Sequence, residues 1–215
     1  MTALGGPRVA PHSGGAPRQL VVLCHGHGAS GQDMLHLVDH WGPALPDALF
    51  VAPDGPERVL NNPAGRRWFD LSDRSPAIVD RRVRPARVAL DAFLDAELAA
   101  AGLPPDAYAL FGMSQGAMTA LFTGLRRQTA PRGILAYSGA LAGAHTLKGE
   151  ITHRPPVLLV HGDQDQAVPI DLARISEQML RANGVPVETY FGNFGHWITP
   201  EGVAAGTSFL QRIFA

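Results

Sequence analysis

Short apolar runs alternate with longer amphipathic stretches from residue 19 to residue 214. The apolar runs are rich in β-branched or aromatic residues and are bounded by Gly or Pro, which is typical of buried parallel strands. They predict strands over residues 19–24, 48–51, 108–111, 133–137, 157–161 and 187–191. The amphipathic stretches predict helices over residues 32–41, about 85–101, 115–127, 170–183 and 201–214.

This alternation of strand and helix predicts an α/β fold with a mostly parallel central sheet covered by helices on both faces. The connection between residues 137 and 157 is too short for a separate cap domain, so we expect an open site. We therefore predict a single domain over residues 18–215. Residues 1–17 are rich in Gly, Pro, Ala and Ser and predict a flexible N-terminal tail.

One long connection interrupts the alternation. Residues 53–80 contain turn formers but no clear helix or strand pattern, and loops of this length in compact domains are usually functional. Trp68, Phe69 and Leu71 are its apolar side chains. They fit two interpretations equally well, as the wall of a substrate pocket or as anchors that fasten the loop to the core. We expect the loop to border the active site.

Composition and charge exclude several classes of function. A hydrophobic fraction of 46% and a charged fraction of 17% are typical of a soluble globular protein. The net charge of −1 offers no electrostatic reason to bind nucleic acid or an anionic membrane, and no apolar run is long enough to span a bilayer. The single cysteine, Cys24, excludes an internal disulfide and fits a reducing compartment. Because the tail lacks the apolar stretch of a signal peptide, we expect a cytoplasmic protein.

A candidate nucleophile lies where a predicted strand meets a predicted helix. Residues 112–116 read Gly-Met-Ser-Gln-Gly, the G-x-S-x-G pattern in a strand–turn–helix context. Glycines permit the sharp turn that exposes the Ser114 hydroxyl. The turn also leaves the Gln115 backbone N–H at a helix N-terminus, where it can stabilise negative charge. The alternative is a glycine-rich turn with a solvated serine.

A nucleophilic serine needs a base to accept its proton, and the base needs an acid to orient it. In sheets of this type the acid and then the histidine follow on loops after later strands. His196 is the one histidine beyond the next strand end that carries acids. Asp163 and Asp165 both follow the strand over 157–161, and their spacing leaves the choice open. Asp171 is more typical of a first helical turn.

The loop after the first predicted strand contains a candidate for the oxyanion hole. This architecture places a second oxyanion-hole N–H there, and the His27 backbone N–H is the candidate, paired with that of Gln115. A metal site on His25 and His27 lacks a further ligand, so we predict no metal. Residues 26–31 also read G-x-G-x-x-G, with Asp54 further on. That spacing is the basis for a rival hypothesis of a dinucleotide-binding oxidoreductase.

These motifs give the chain a family resemblance. It resembles the α/β-hydrolases, and more narrowly the small phospholipase/carboxylesterase family that includes acyl-protein thioesterases, over nearly everything from residue 19 to 214. The motifs that carry the likeness lie at residues 25–31, 68–71, 112–117, 161–169 and 195–196.

The resemblance implies that Asp165 is the catalytic acid. It assigns the oxyanion hole to His27 and Gln115 and brings the Trp68 loop near the acyl group. His27 stands where the family usually has an apolar residue, and Met113 and Trp197 also depart from its pattern. These departures bear on the shape of the acyl pocket rather than on the triad.

We therefore expect a serine carboxylesterase that uses Ser114, His196 and Asp165 and forms an acyl-enzyme. Its substrates would be small carboxylic esters, with thioesters and lysophospholipids as further options. No cofactor is needed, and a homodimer is one option for assembly. Besides the oxidoreductase, the rival is a catalytically silent binding module on a hydrolase scaffold.

Overall fold

The computed structural model describes residues 4–60 and 62–215. In chain order the strands are β1 (Arg8–Val9), β2 (Gln19–Cys24), β3 (Ala48–Val51), β4 (Glu57–Val59), β5 (Asn62–Arg67), β6 (Tyr108–Met113), β7 (Gly133–Tyr137), β8 (Val157–Gly162) and β9 (Val187–Gly192). The helices are α1 (Val38–Ala44), α2 (Pro76–Ala100), α3 (Gln115–Gly124), α4 (Leu147–Glu150), α5 (Ile170–Ala182) and α6 (Pro200–Ile213). A 3-10 helix (Gln32–Leu37) precedes α1.

The main sheet confirms the predicted α/β architecture. In the part of the chain that the structure describes, it has seven strands in the order β1-β3-β2-β6-β7-β8-β9. β1 runs antiparallel to β3, and the other pairs are parallel. Met113 lies opposite Tyr137, and Gly162 lies opposite Gly192. The parallel strands therefore end at one edge, where the loops that carry the candidate site residues begin.

Helices cover both faces of the sheet, as the sequence predicts, because side chains on the strands alternate between two cores. On one face, Leu20 and Leu110 of the sheet pack in a cluster that also holds buried residues of α2 and α3. On the other face, Leu23 belongs to a cluster with Trp41 of α1 and Phe209 of α6. No separate cap domain is evident among the described residues.

The N-terminal segment differs from the expected flexible tail. Arg8 and Val9 pair with β3, and the Gly5 carbonyl accepts a 2.7 Å hydrogen bond from the Asp54 N–H. The Arg8 guanidinium also binds the Glu97 carboxylate of α2. The prediction of a loose segment over 1–17 is therefore wrong for this part, while residues 1–3 lie outside the described range. Composition did not indicate it because sheet-edge pairing uses backbone groups, which any sequence supplies.

The connection over 53–80 also contains more structure than predicted. β4 and β5 form an antiparallel hairpin, and α2 begins at Pro76 rather than near residue 85. The hairpin strands are mostly exposed and lack apolar alternation, so they carry no hydrophobic signal. Pro76 follows Ser75 at the start of α2, whereas Pro85 lies inside the helix. Reading Pro85 as a first-turn residue placed the predicted start of the helix too late.

The other predicted elements agree with the structure within a few residues. Exceptions are the first helix, which is a 3-10 segment followed by α1, and α3, which ends three residues earlier than expected, at Gly124. Within residues 4–60 and 62–215, none of the helices combines the length and apolar character needed to cross a membrane.

Candidate active site

Ser114 occupies a strained turn between β6 and α3. Its backbone has φ 56° and ψ −117°, a region that residues with a Cβ rarely adopt, and it immediately precedes the first residue of α3. The Ser114 N–H donates a 2.8 Å hydrogen bond to the Tyr137 carbonyl at the end of β7. The neighbouring strand thus holds the turn at the carboxyl edge of the sheet, in the strand–turn–helix geometry expected for a nucleophile elbow.

Close backbone packing explains the two glycines around Ser114. A Cβ on Gly116 would lie 2.1 Å from the Cys24 carbonyl oxygen, and one on Gly112 would lie 2.3 Å from the carbonyl carbon of Gly116. Neither position has room for a side chain. The elbow therefore packs directly on the end of β2.

His196 and Asp165 are in direct contact. The distance from His196 Nδ1 to Asp165 Oδ2 is 2.7 Å. The second carboxylate oxygen, Oδ1, accepts hydrogen bonds from the Ala167 N–H (2.9 Å) and the Val168 N–H (2.8 Å). The Asp165 side chain is fully buried, whereas that of His196 is 29% exposed. Asp165 is thus fixed from one side, and His196 remains accessible from solvent.

The other two acids have different surroundings. Asp163 is exposed, and its carboxylate accepts a 3.1 Å hydrogen bond from the adjacent Gln164 side chain. Asp171 lies in the first turn of α5 and pairs with Arg174 at the surface. Of the two aspartates that spacing left open, the structure brings Asp165 to His196.

The loop after β2 passes beside the elbow. A Cβ on Gly26 would lie 3.4 Å from Ser114 Cβ, so the chain there runs against the serine. His27 follows with its side chain exposed. Within the described residues, neither the His27 N–H nor the Gln115 N–H donates a hydrogen bond to a protein group. Both backbone donors proposed for the oxyanion hole are therefore available.

The Gln115 side chain holds the backbone of the 68–69 segment. Its Oε1 accepts a 2.9 Å hydrogen bond from the Trp68 N–H, and its Nε2 donates to the Phe69 carbonyl at 2.6 Å. The Trp68 indole N–H donates to the His25 carbonyl at 2.9 Å. Three segments that are distant in sequence are thus locked together directly behind the candidate oxyanion hole.

His25 completes this network as a neutral imidazole. Its Nδ1 lies 2.7 Å from the Gly26 carbonyl, which can only accept, and its Nε2 accepts a 2.9 Å hydrogen bond from the Gly55 N–H. Burial lowers its pKa, since the charged form would lose its hydration. His25 therefore fastens the β2 loop to the connection after β3.

Trp68 and Phe69 are core residues. Each is 1% exposed, and both belong to the cluster on the α2–α3 side of the sheet, whereas Leu71 is half-buried against that cluster. For Trp68 and Phe69 the structure thus favours the second interpretation, in which they anchor the segment. Leu71 is the member of the set with side-chain surface to offer a ligand.

His161 is a buried contact of Asp165 that sequence reasoning did not single out. It lies in β8, with Nε2 2.8 Å from the Val168 carbonyl and 3.4 Å from Asp165 Oδ2. The sequence feature that could have indicated this contact is a histidine near the end of an apolar strand, two residues before Asp163. Burial lowers its pKa, so it is held in the neutral form.

The rival chemistries gain no support. The Gly31 N–H donates a 2.8 Å hydrogen bond to Asp54, so this carboxylate already binds the glycine-rich loop. Across residues 4–60 and 62–215, no group of three or more His, Cys, Asp or Glu side chains could hold a metal ion. Burial of Cys24 raises its pKa, which keeps the thiol protonated and unreactive.

The fold and the site together define an α/β-hydrolase, with a serine at a strained elbow and a histidine–carboxylate pair at the same sheet edge. The family model described as phospholipase/carboxylesterase matches residues 7–214. The chain belongs to the phospholipase/carboxylesterase family and is a serine hydrolase of the class that cleaves ester bonds.

Known relatives agree with this assignment. The chain is similar to acyl-protein thioesterase 1 of Schizosaccharomyces pombe, at 30% identity over 90% of each chain. It is also similar to the esterase YpfH of Escherichia coli, at 29% identity over 84% of this chain and 77% of the relative. Among solved structures, esterase PE8 superposes with a TM-score of 0.93 at 38% identity, over 99% of this chain and 100% of the other.

Proposed function

We propose that this protein is a carboxylesterase in which Ser114, His196 and Asp165 form the catalytic triad. The observation that carries the proposal is the 2.7 Å contact between His196 Nδ1 and Asp165 Oδ2, at the sheet edge where the strained Ser114 also lies. A carboxylate at Nδ1 selects the tautomer whose Nε2 is free to act as a base. Because a serine needs a base oriented in this way, the His196–Asp165 pair supports Ser114 as the nucleophile.

In the proposed reaction, His196 Nε2 accepts the Ser114 hydroxyl proton as Oγ attacks the acyl carbonyl. The backbone N–H groups of His27 and Gln115 bind the oxyanion that forms. When the C–O bond to the leaving group breaks, the histidine returns its proton to the departing alcohol. Water then attacks the acyl-enzyme by the same route, releasing the acid and regenerating the serine.

Thioesters are a second substrate class for the same site. A relative of 30% identity is named as an acyl-protein thioesterase, and the chemistry differs only in that a thiol leaves. For the acyl group we propose contact with Leu71, which is half-buried, while Trp68 and Phe69 fix the shape of the segment from behind. The one cysteine, Cys24, is buried and supports a reducing compartment such as the cytoplasm.

The test compares hydrolysis of p-nitrophenyl esters from acetate to decanoate by the wild type and by Ser114→Ala. Losing the nucleophile should lower kcat by roughly 10⁴- to 10⁶-fold, because only binding and the oxyanion hole remain. A fluorophosphonate should label the wild type and leave the variant unlabelled. Matched p-nitrothiophenyl thioesters would then rank the two substrate classes.

Two results would overturn the proposal. If Ser114→Ala retains most of the wild-type activity, the serine is a structural turn residue. If the folded wild type neither hydrolyses any ester of the series nor reacts with the fluorophosphonate, the chain is a catalytically silent binding module.

A further inference from the structure

We propose that His161 is a positioning residue that holds Asp165 in place against His196, a role that rests on the triad proposed above. The 161 side chain is 2% exposed, and its Nε2 lies 2.8 Å from the Val168 carbonyl oxygen and 3.4 Å from Asp165 Oδ2. It is a buried, titratable group at the candidate site, and the proposed mechanism does not use it to transfer a proton.

The protonation of His161 follows from its partner. A carbonyl oxygen can only accept a hydrogen bond, so Nε2 must carry the proton that is donated to Val168. Burial keeps the ring neutral by lowering its pKa. His161 is therefore a fixed N–H donor, and the nitrogen that carries this proton lies 3.4 Å from Asp165 Oδ2.

The contact with Val168 matters because Val168 binds Asp165. The Val168 and Ala167 N–H groups both donate to Asp165 Oδ1, at 2.8 and 2.9 Å. This leaves Oδ2 for His196. The hydrogen bonds thus connect strand β8 through the backbone of Val168, from its carbonyl to its N–H, to one oxygen of Asp165, and the other oxygen orients the base.

The turn has little packing of its own. Gln166, Ala167 and Pro169 are exposed and Val168 is only half-buried, so side-chain burial contributes little to its position. Its contact with Arg74 is long, at 3.4 Å. Hydrogen bonds must supply the restraint, and His161 provides the one that ties the Val168 carbonyl to the sheet.

The test uses two substitutions at this position and a matched control. His161→Leu removes the donor at similar volume, whereas His161→Gln keeps an N–H near the position of Nε2. The control is His153→Leu, since His153 Nε2 also binds a backbone carbonyl, that of Gln128 at 2.6 Å, in a solvent-exposed hydrogen bond outside the site. Steady-state kinetics with a p-nitrophenyl ester are measured for each variant, with unfolding curves to establish folding.

His161→Leu should lower kcat by roughly 10- to 100-fold with KM little changed, because a small displacement of a catalytic group has an effect of this size. His161→Gln should recover most of kcat, and His153→Leu should behave as wild type. A structural role alone would not affect the downfield proton NMR resonance of the His196 Nδ1–H. His161→Leu should shift or abolish this resonance, and His161→Gln should preserve it.

The inference is wrong if folded His161→Leu keeps the wild-type kcat, or if its kcat falls while the downfield resonance is unchanged. If His161→Leu does not fold, His161→Asn against His161→Gln gives the same test, since the shorter amide cannot reach Val168. Failure of the proposed function is a separate result. It would show as an inactive wild type or an active Ser114→Ala variant, whereas failure of this inference leaves both of those results as expected.

Discussion

The Trp68 N–H donates a 2.9 Å hydrogen bond to Oε1 of Gln115. The other end of the same amide group donates to the Phe69 carbonyl. Gln115 is 1% exposed, and these two hydrogen bonds provide partners for both ends of its buried amide. The residue that we propose as an oxyanion donor through its backbone thus also sets, through its side chain, the position of the Trp68–Phe69 segment, beside which we propose that the acyl group binds.

Replacing Gln115 by Leu should therefore reduce stability. The Trp68 N–H and the Phe69 carbonyl would be buried without partners, at about 1–3 kcal/mol for each group, and we expect a loss of about 3 kcal/mol in the free energy of unfolding. Urea unfolding of the two proteins measures it. Gln211→Leu is the control, because Gln211 is exposed and its side-chain contact with the Ala44 carbonyl is long, at 3.4 Å. Equal stability of the two variants would contradict this account.

Asn substitutions at Asp163 and Asp165 should separate the two carboxylates. Asp165→Asn removes the charge that holds the His196 tautomer, and we expect kcat to fall by roughly 10³- to 10⁴-fold. Asp163→Asn should leave kcat near the wild-type value, since the exposed Asp163 carboxylate accepts its hydrogen bond from the adjacent Gln164 side chain and not from His196. Steady-state ester hydrolysis by both variants tests this. If kcat falls strongly in Asp163→Asn while Asp165→Asn remains active, Asp163 and not Asp165 is the catalytic acid.

Ser114→Gly should stabilise the protein while removing its activity. Glycine adopts the φ of 56° observed at Ser114 without steric cost, and strain of this type is worth about 1–3 kcal/mol. After the entropic cost of glycine is subtracted, we expect a gain of about 1 kcal/mol in unfolding free energy. Ser114→Ala retains the Cβ and serves as the reference. If the glycine variant is no more stable than the alanine variant, the turn is not strained.

Stability should fall as the pH drops below about 6.5, the ordinary pKa of histidine. Burial lowers the folded-state pKa values of His25 and His161, so the unfolded chain binds more protons between the unfolded and folded values. Stability from these groups is present above pH 6.5 and is lost as the pH falls towards the folded pKa. His25→Gln should reduce this slope without abolishing it, because His161 contributes with the same sign.

Chemical unfolding at a series of pH values between 5 and 8 measures the slope. Gln211→Leu is the control, since Gln211 is exposed and carries no titratable group, and it should leave the slope unchanged. A His25→Gln slope identical to that of the wild type would show that His25 does not contribute.

The sequence by itself determined the parallel strands of the core and the elbow at Ser114. Buried strands must be continuous apolar runs, and a sharp strand-to-helix turn requires glycine on both sides, so both are written in local residue order. Chain order also pointed to His196. The strand and elbow predictions depend on neighbours within a few residues, where side-chain pattern and backbone conformation are directly linked.

Only the tertiary structure determined the features that depend on partners outside the local sequence. The contact of Asp165 with His196 and the anchoring of Trp68 by Gln115 both join residues far apart in sequence. The pairing of β1 and the hairpin of β4 and β5 use backbone hydrogen bonds, for which side-chain hydrophobicity carries no signal. Polar contacts between segments are specific in three dimensions and leave no periodic pattern in the chain, which is why the sequence alone left them open.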